Sequence, residues 1–474
     1  MDQVPTVSLA PVREKMRRAG LDDLLIRSFE HYYDQLCAGA TGYIPGASAR
    51  PPSDIADSST ATGFHEEGLD ALSRLVVVKL NGGLGATMGL QGPKSLLMVK
   101  DGLRFLDVIV RHVLHLRQKM TARLPLVFMN SYSTQEATQQ ALAAYPELAK
   151  GDAGSLPLTF LQNKVPKIWQ ETLQPVEWPE DPTKEWCPPG HGDIYPTLHM
   201  SSLLRRMLSR GYEYMFVSNA DNLGATVDTD ILGYFAARRL PFLMEVTART
   251  AADRKGGHLA QSPDGRLLLR EIAQCPPEEI EQFQDIDRYG LFNTNSLWIH
   301  LPTLRELLQE RDGFLDLPMI VNNKPVDPAR PDSPPVYQLE TAVGLAISAF
   351  DGAQAIQVPR DRFLPVKRCN DLLALRSDAY RLSEEQCVDL DPRRGTGRFP
   401  GGSPLVELDD RFYQFIDQIE ERFPHGSPSL LRCRSFSVAG PYTFGASVTV
   451  EGDVSLSNSS DTPVVVPDGA ILSG

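Results

Sequence analysis

Residues 75–95 read LVVVKLNGGLGATMGLQGPKS, and the passage changes character halfway. Leu75-Val76-Val77-Val78 is a continuous apolar run, the pattern of a strand buried on both faces and so of a parallel sheet. Glycines then stand at positions 82, 83, 85, 89 and 92, followed by Lys94. Without a Cβ in the way, backbone N–H groups can curl around phosphate oxygens, and the lysine adds a point charge for one of them. Two familiar phosphate loops do not fit. The P-loop needs Gly and Lys adjacent, but Pro93 separates Gly92 from Lys94; the dinucleotide fingerprint needs a third glycine where Met88 stands.

Working outward, similar apolar runs recur at Leu124–Met129, Leu156–Leu161, Tyr214–Val217, Phe242–Val246 and Ser296–Ile299. Helical patterns lie between several of them, among them Phe105–Arg117 and Leu198–Leu208. This alternation predicts an α/β fold, a mostly parallel sheet with helices on both faces. Ligands of such sheets sit beyond the carboxyl ends of the strands. The informative loops are therefore expected after Val78, Phe128, Leu161, Val217 and Trp298. Upstream, Met16, Leu21, Leu24, Leu25, Phe29, Tyr32 and Leu36 recur at helical spacing over 11–42, which predicts helices packed on a larger body. The Pro-, Ser-, Asp- and Ala-rich stretch 46–63 reads as a linker. From Cys433 onward short apolar steps alternate with turn residues, as in VTVEGDVSLSN and PDGAILSG. They resemble coils of a small β-helix, with a small antiparallel sheet as the alternative.

Those loops hold the candidate chemistry. Asp221, in FVSNADN, stands just past a buried strand, where a carboxylate can hold Mg²⁺ together with phosphate oxygens; Asp and Asn also serve there as turn residues. In PPGHGD two prolines fix the backbone and two glycines admit a ligand beside His191. Gln162 ends a strand with an amide able to read a base edge. Asn293 and Asn295 alternate on an extended segment and so project from one face. Lys367 lies in a proline-flanked loop. No Ser-His-Asp or Cys-His nucleophile arrangement emerges, and His65, His112, His115 and His199 form no ligand-spaced cluster.

Composition narrows the classes. At 474 residues, prior domain sizes suggest roughly three folding units. The formal charge of −13 speaks against binding a nucleic-acid backbone, while leaving room for a triphosphate met by a few local cations. No apolar run approaches the roughly 20 residues of a membrane span, and MDQVPTVSLAPVREKMRR lacks the layout of a secretory signal. Six cysteines without a CxxC pair argue against zinc and against a disulfide scaffold, so a reducing cytoplasm is expected.

Together the stretches KLNGGLGATMGLQGPKS (79–95), PPGHGDIY (188–195), FVSNADNLGA (216–225), EVTARTAADRKGGHL (245–259), LFNTNSLWI (291–299), YQLETAVGLAI (337–347) and VPRDRFLPVK (358–367) resemble the eukaryotic-type UDP-glucose pyrophosphorylases, the UTP–glucose-1-phosphate uridylyltransferases. The resemblance implies a Rossmann-like nucleotidyltransferase domain of the GT-A type, with a mostly parallel sheet, at 61–382. An N-terminal helical segment and linker would occupy 1–60, and 383–474 would end in a short left-handed β-helix. It implies Mg²⁺-dependent formation of UDP-glucose and pyrophosphate from UTP and glucose 1-phosphate. By family position Leu80, Asn81, Gly82 and Gly83 would meet nucleotide and sugar phosphate, and Lys94 the UTP phosphates. Gln162 and Gly190 would read uracil, and His191 would approach the sugar phosphate. Asn219, Ala220 and Asp221 would line the sugar side, with Asp221 also the metal ligand; Asn293 or Asn295 would touch the hexose, and Lys367 the phosphates. Cys187, Lys167 and Ser296 depart from the family's usual Tyr, Arg and Asn, which leaves other or broader sugar specificity as the near alternative. A catalytically silent nucleotide-binding scaffold is the alternative of another class; the presence of Lys94, Asp221 and Lys367 disfavours it. The sequence ends at Gly474, where many relatives continue through β-structure used in subunit contacts, so monomer or dimer is expected rather than a larger assembly.

Overall fold

The Leu75–Asn81 segment is a strand buried along its whole length, and the fold is built around it. In this computed structural model residues 8–151, 155–396 and 401–474 are described; the first seven residues, on which part of the reading of the N-terminus rested, lie outside them, as do 397–400 of the C-terminal region. The central sheet contains β1 (Ala56–Asp57), β2 (Leu75–Asn81), β3 (Leu126–Asn130), β4 (Thr159–Leu161), β5 (Tyr214–Asn219), β6 (Phe242–Ala248), β7 (His258–Gln261), β8 (Leu267–Arg270), β9 (Leu291–His300) and β10 (Gln354–Gln357). Its spatial order is β1-β10-β6-β9-β5-β2-β3-β4, with the β7–β8 hairpin attached to β9. Successive residues feed opposite apolar layers: Val77, Phe128, Phe216, Leu243 and Trp298 enter one, Val76, Val78, Met129, Met215, Val217 and Ile299 the other. That is the two-sided burial the continuous apolar runs predict.

The path strands pair in parallel except β9, which is antiparallel to both β5 and β6. The loop after Trp298 is thus at the far edge of the sheet, contrary to expectation, and the start of β9 lies at the ligand edge instead. A strand buried on both faces has no polar face to reveal its direction. The helical pattern Leu198–Leu208 also breaks, into Ile194–Met200 and Leu203–Ser209. Ser201 Oγ donates to the Thr197 carbonyl at 2.6 Å and Ser202 takes φ 58°, local serine bonding that competes with helix continuation.

The N-terminal helices, Ala10–Arg18 and Asp23–Cys37, dock as expected. Val12, Met16, Phe29, Tyr33 and Leu36 share a core with Val165, Ile168, Met319 and Leu339. The 46–63 stretch does more than link, because Ala56–Asp57 pairs in parallel with β10. In the tail, Leu405–Leu408, Ser429–Ala439, Thr449–Ser457 and Ile471–Ser473 stack in parallel, as do Tyr442–Phe444 and Val464–Val466. The antiparallel alternative is excluded. Register slips in Ser429–Ala439 free several backbone groups. The buried Arg394 donates to the carbonyls of Leu430, Leu431 and Cys433, and Asp378 accepts from the Leu430 and Leu431 amides, so the irregularity is satisfied.

The helices His65–Leu72 and Thr229–Ala237 cross at two glycines. A Cβ on Gly68 would stand 1.8 Å from the Thr229 carbonyl oxygen, and one on Gly233 1.7 Å from that of Phe64. Gly233→Ala must push the helices apart and is expected to cost about 1–3 kcal/mol. Differential scanning calorimetry would show a lowered midpoint; an unchanged one contradicts the packing described.

Candidate active site

Parallel β2, β4 and β5 end at one edge of the sheet, and their last residues wall a cleft of about 900 Å³ counting its open mouth. Leu80, Asn81, Gly82, Gly83, Lys94, Gln162, Gly190, His191, Asn219, Ala220 and Asp221 all line it. The glycine loop doubles back on itself. Leu84 bridges Pro93, and the Lys94 amide donates to the Gly83 carbonyl at 3.3 Å. This return delivers the Lys94 side chain to the cleft, where Nζ meets Asp221 Oδ2 at 2.9 Å. The proposed phosphate cation and metal carboxylate thus neutralise each other. Asn81 faces away: its amide donates to Asn130 Oδ1 at 2.7 Å and to Thr138 Oγ1 at 2.9 Å, leaving its backbone to line the cleft.

Opposite stands Pro188–Asp193. Gly190 has φ 79°, and a Cβ there would lie 2.3 Å from the Thr341 carbonyl oxygen; one on Gly192 would lie 2.4 Å from Thr341 Oγ1. These glycines are demanded by the neighbouring strand end, where the sequence reading assigned them to ligand access. His191 Nδ1 accepts the Val343 amide at 2.9 Å, so its proton sits on Nε2. Burial, aided by the Lys367 charge, pushes its pKa down from 6.5 to about 4. Asp193 ties the loop after Gln162 to its own segment by accepting from Asn163 N at 2.7 Å and from Thr197 Oγ1 at 2.9 Å. Burial, partly offset by those bonds, raises its carboxyl to about 6.

Asn293 and Asn295 do not project as a simple pair. Registry with β6 slips here and Asn295 takes φ 59°, a bulge that re-aims side chains. Asn293 Oδ1 accepts the Asn295 amide at 2.9 Å, and Asn295 Nδ2 donates to Asn219 Oδ1 at 2.9 Å. Asn295 therefore reaches the cleft wall through Asn219, and its own Oδ1 is buried without a partner. Lys367 is exposed beside the cleft, outside its lining. Its loop is pinned to that of Asp221: Asn222 Oδ1 accepts the Leu364 amide at 2.8 Å, and the Val366 amide donates to the Asp221 carbonyl at 3.2 Å.

Two acids escaped the sequence reading. Glu340 lines the cleft with its carboxyl raised by burial, and Glu271 is pushed by burial up to about 6, with Lys367 acting against the shift. Glu340 lies within the quoted stretch YQLETAVGLAI, whereas nothing in REIAQCP marks Glu271. Among the described residues no three His, Cys, Asp or Glu side chains converge as a metal cage. The single carboxylate of Asp221 suits a cation shared with phosphate oxygens, the habit of Mg²⁺.

A family model described as UTP--glucose-1-phosphate uridylyltransferase matches residues 26–451. The chain belongs to that family. Among the uridylyltransferases, a probable member from Schizosaccharomyces pombe is 40% identical over 422 residues, covering 89% of this chain and 80% of that one. The Saccharomyces cerevisiae uridylyltransferase is 37% identical over 464 residues, covering 95% and 89%. A crystal structure of a point mutant of Leishmania major UDP-glucose pyrophosphorylase, in complex with UDP-glucose, superposes with a TM-score of 0.92 at 44% identity, covering 98% of each chain. Among the described residues of this uridylyltransferase-family chain, no helix is long and apolar enough to cross a membrane.

His191 carries a pH signature. Between about pH 6.5 and pH 4 the unfolded chain takes up a proton that the folded ring refuses. This residue's contribution to stability is therefore complete above 6.5 and falls as pH drops through that window. The ring proton resonances of His191 are expected to titrate near pH 4, with no His191 inflection in the rate between about pH 5 and 8. A midpoint near 6.5 contradicts the environment described.

Proposed function

We propose that this protein forms UDP-glucose and pyrophosphate from UTP and glucose 1-phosphate by in-line attack of the sugar-phosphate oxygen on the α-phosphorus. The observation that carries the reading is the convergence of the glycine loop, Lys94 and Asp221 at one sheet edge in a member of the uridylyltransferase family. The nucleophile is already ionised, so no general base is needed. The difficulty is anion meeting anion, and catalysis consists of positioning and charge neutralisation.

In this reading Leu80, Asn81, Gly82 and Gly83 hold the phosphates through backbone groups. Lys94 exchanges Asp221 for a phosphate oxygen, and Lys367 closes from the rim. Gln162 and Gly190 hold uracil. His191 donates its Nε2 proton to the sugar phosphate, while Asn219, backed by Asn295 and Asn293, meets the hexose beside Ala220. Asp221 would hold Mg²⁺ jointly with the triphosphate, and the cation would supply charge neutralisation there. We further read 61–382 as a Rossmann-like domain of the GT-A type, preceded by the N-terminal segment 1–60, and 383–474 as a domain ending in a left-handed β-helix, a reading supported by the parallel stacking of its strands. Free thiols at all six cysteines, four of them buried, support a cytoplasmic site of action. We read the protein as a monomer or a dimer, any subunit contact being made through the C-terminal domain.

Lys94→Ala is expected to lower turnover about 10²–10³-fold while glucose 1-phosphate binding changes little. Pyrophosphate release measured with UTP and a panel of sugar 1-phosphates, with and without Mg²⁺, tests both this and the sugar assignment. Near wild-type turnover in the variant, or preference for another sugar phosphate, overturns the corresponding part.

A further inference from the structure

Lys79 interrupts the apolar run of β2 and is 3% exposed. Burying an ammonium is costly, and an apolar side chain of similar length would suit the sheet at least as well. Its Nζ lies 5.7 Å from the centroid of the Phe216 ring and donates to two neutral acceptors, Ser218 Oγ at 2.6 Å and the Ala225 carbonyl at 2.8 Å. Ser218 is its neighbour across the β2–β5 ladder. Ala225 is where the chain returns after the loop bearing Asn219, Ala220 and Asp221. The carbonyl after it, that of Thr226, is taken by Arg362 Nη2 at 3.0 Å. Burial, with the charge of Arg362 acting in the same direction and those of Glu245 and Cys387 against it, brings the Lys79 pKa down to about 7. The neighbourhood thus penalises the charge whose hydrogen bonds it uses, a pairing common where function holds a residue in place.

We propose that Lys79 is a positioning residue for nucleotidyl transfer: its side-chain amino group ties both feet of the Asp221 loop to the strand that leads into Gly82 and Gly83. The distance between the carboxylate and the glycine loop is thereby set from behind the sheet, by a side chain that never reaches the cleft. The inference rests on the uridylyl-transfer reading above. A small cavity next to Lys79, lined by His112, Val113, Leu223 and Cys387 among others, gives substituted side chains room.

The test compares full-length wild type, Lys79→Met, Lys79→Arg and Ser218→Ala. It measures thermal midpoint, steady-state constants, and UTP affinity by calorimetry with Mg²⁺ or with chelator. Lys79→Met is expected to keep or raise the midpoint and to keep the KM for glucose 1-phosphate. It should lose kcat about 100-fold, the scale of an ångström-level displacement, and lose the gain in UTP affinity that Mg²⁺ brings. Lys79→Arg should recover part of the rate, and Ser218→Ala should show a milder form of the same defect. Wild-type kcat and Mg²⁺ gain in Lys79→Met overturn the proposal. So does a Lys79→Met rate that returns to wild type once it is normalised to the fraction of the variant that is folded. If Lys79→Met does not fold, Ser218→Ala decides: a lowered kcat at an unchanged midpoint supports the role, and unchanged constants overturn it. A wild-type chain that makes no UDP-glucose instead overturns the reading of the site, before any variant is compared.

Discussion

The carboxylate of Glu245 is fully buried in the middle of the sheet, and Arg362 makes that tolerable. The guanidinium donates to Glu245 through Nε at 2.8 Å and Nη2 at 2.7 Å, and Trp298 Nε1 adds a third bond at 2.9 Å. Such a pair adds little net stability over apolar residues of the same size, but removing one partner strands a buried charge. What it supplies is location. Arg362 belongs to the loop that leads to Lys367, Glu245 sits at the β6–β9 irregularity that aims Asn295, and Arg362 also holds the carbonyl of Thr226 after the Asp221 loop. The Asp221 loop, the support behind Asn219 and the rim segment of Lys367 are therefore referenced to one buried ion pair.

The cleft itself is sparing with charge. His191 is held neutral, and Lys94 and Asp221 satisfy one another with side chains 14% and 18% exposed. Under the proposed function, a metal-bound triphosphate would give each of them a new partner in place of the other. Hydrogen bonds also tie the loops of the cleft together: Asn222 between two of them, Asp193 between the segments of Asn163 and His191, and the Val343 amide on the histidine.

Much of this was legible because it depends on local pattern. The apolar runs disclosed both-sided burial, and the glycines before Lys94 marked the loop that turns back into the cleft. Strand direction was not legible: Ser296–Ile299 is apolar whichever way it runs, so the antiparallel β9 and the loop it moves to the other edge were hidden. The Asn295 bulge was hidden for a similar reason, since alternation assumes an unbroken ladder. The close approach of Thr341 to the glycines at 190 and 192 was not legible, because that segment is about 150 residues away in sequence. Glu271 carries no motif of its own, and although Lys79 opens the quoted glycine stretch, only tertiary contact reveals what it holds.

The tail's apolar side chains do not form a separate core. Val406, Leu430, Phe436, Val438 and Val450 belong to the same cluster as Val77, Phe128 and Phe216 beneath the active-site edge. The tail reaches that cluster through the helix Cys369–Arg376, which packs on Leu405–Leu408, so the folding of the coils bears on the segment that directly follows Lys367.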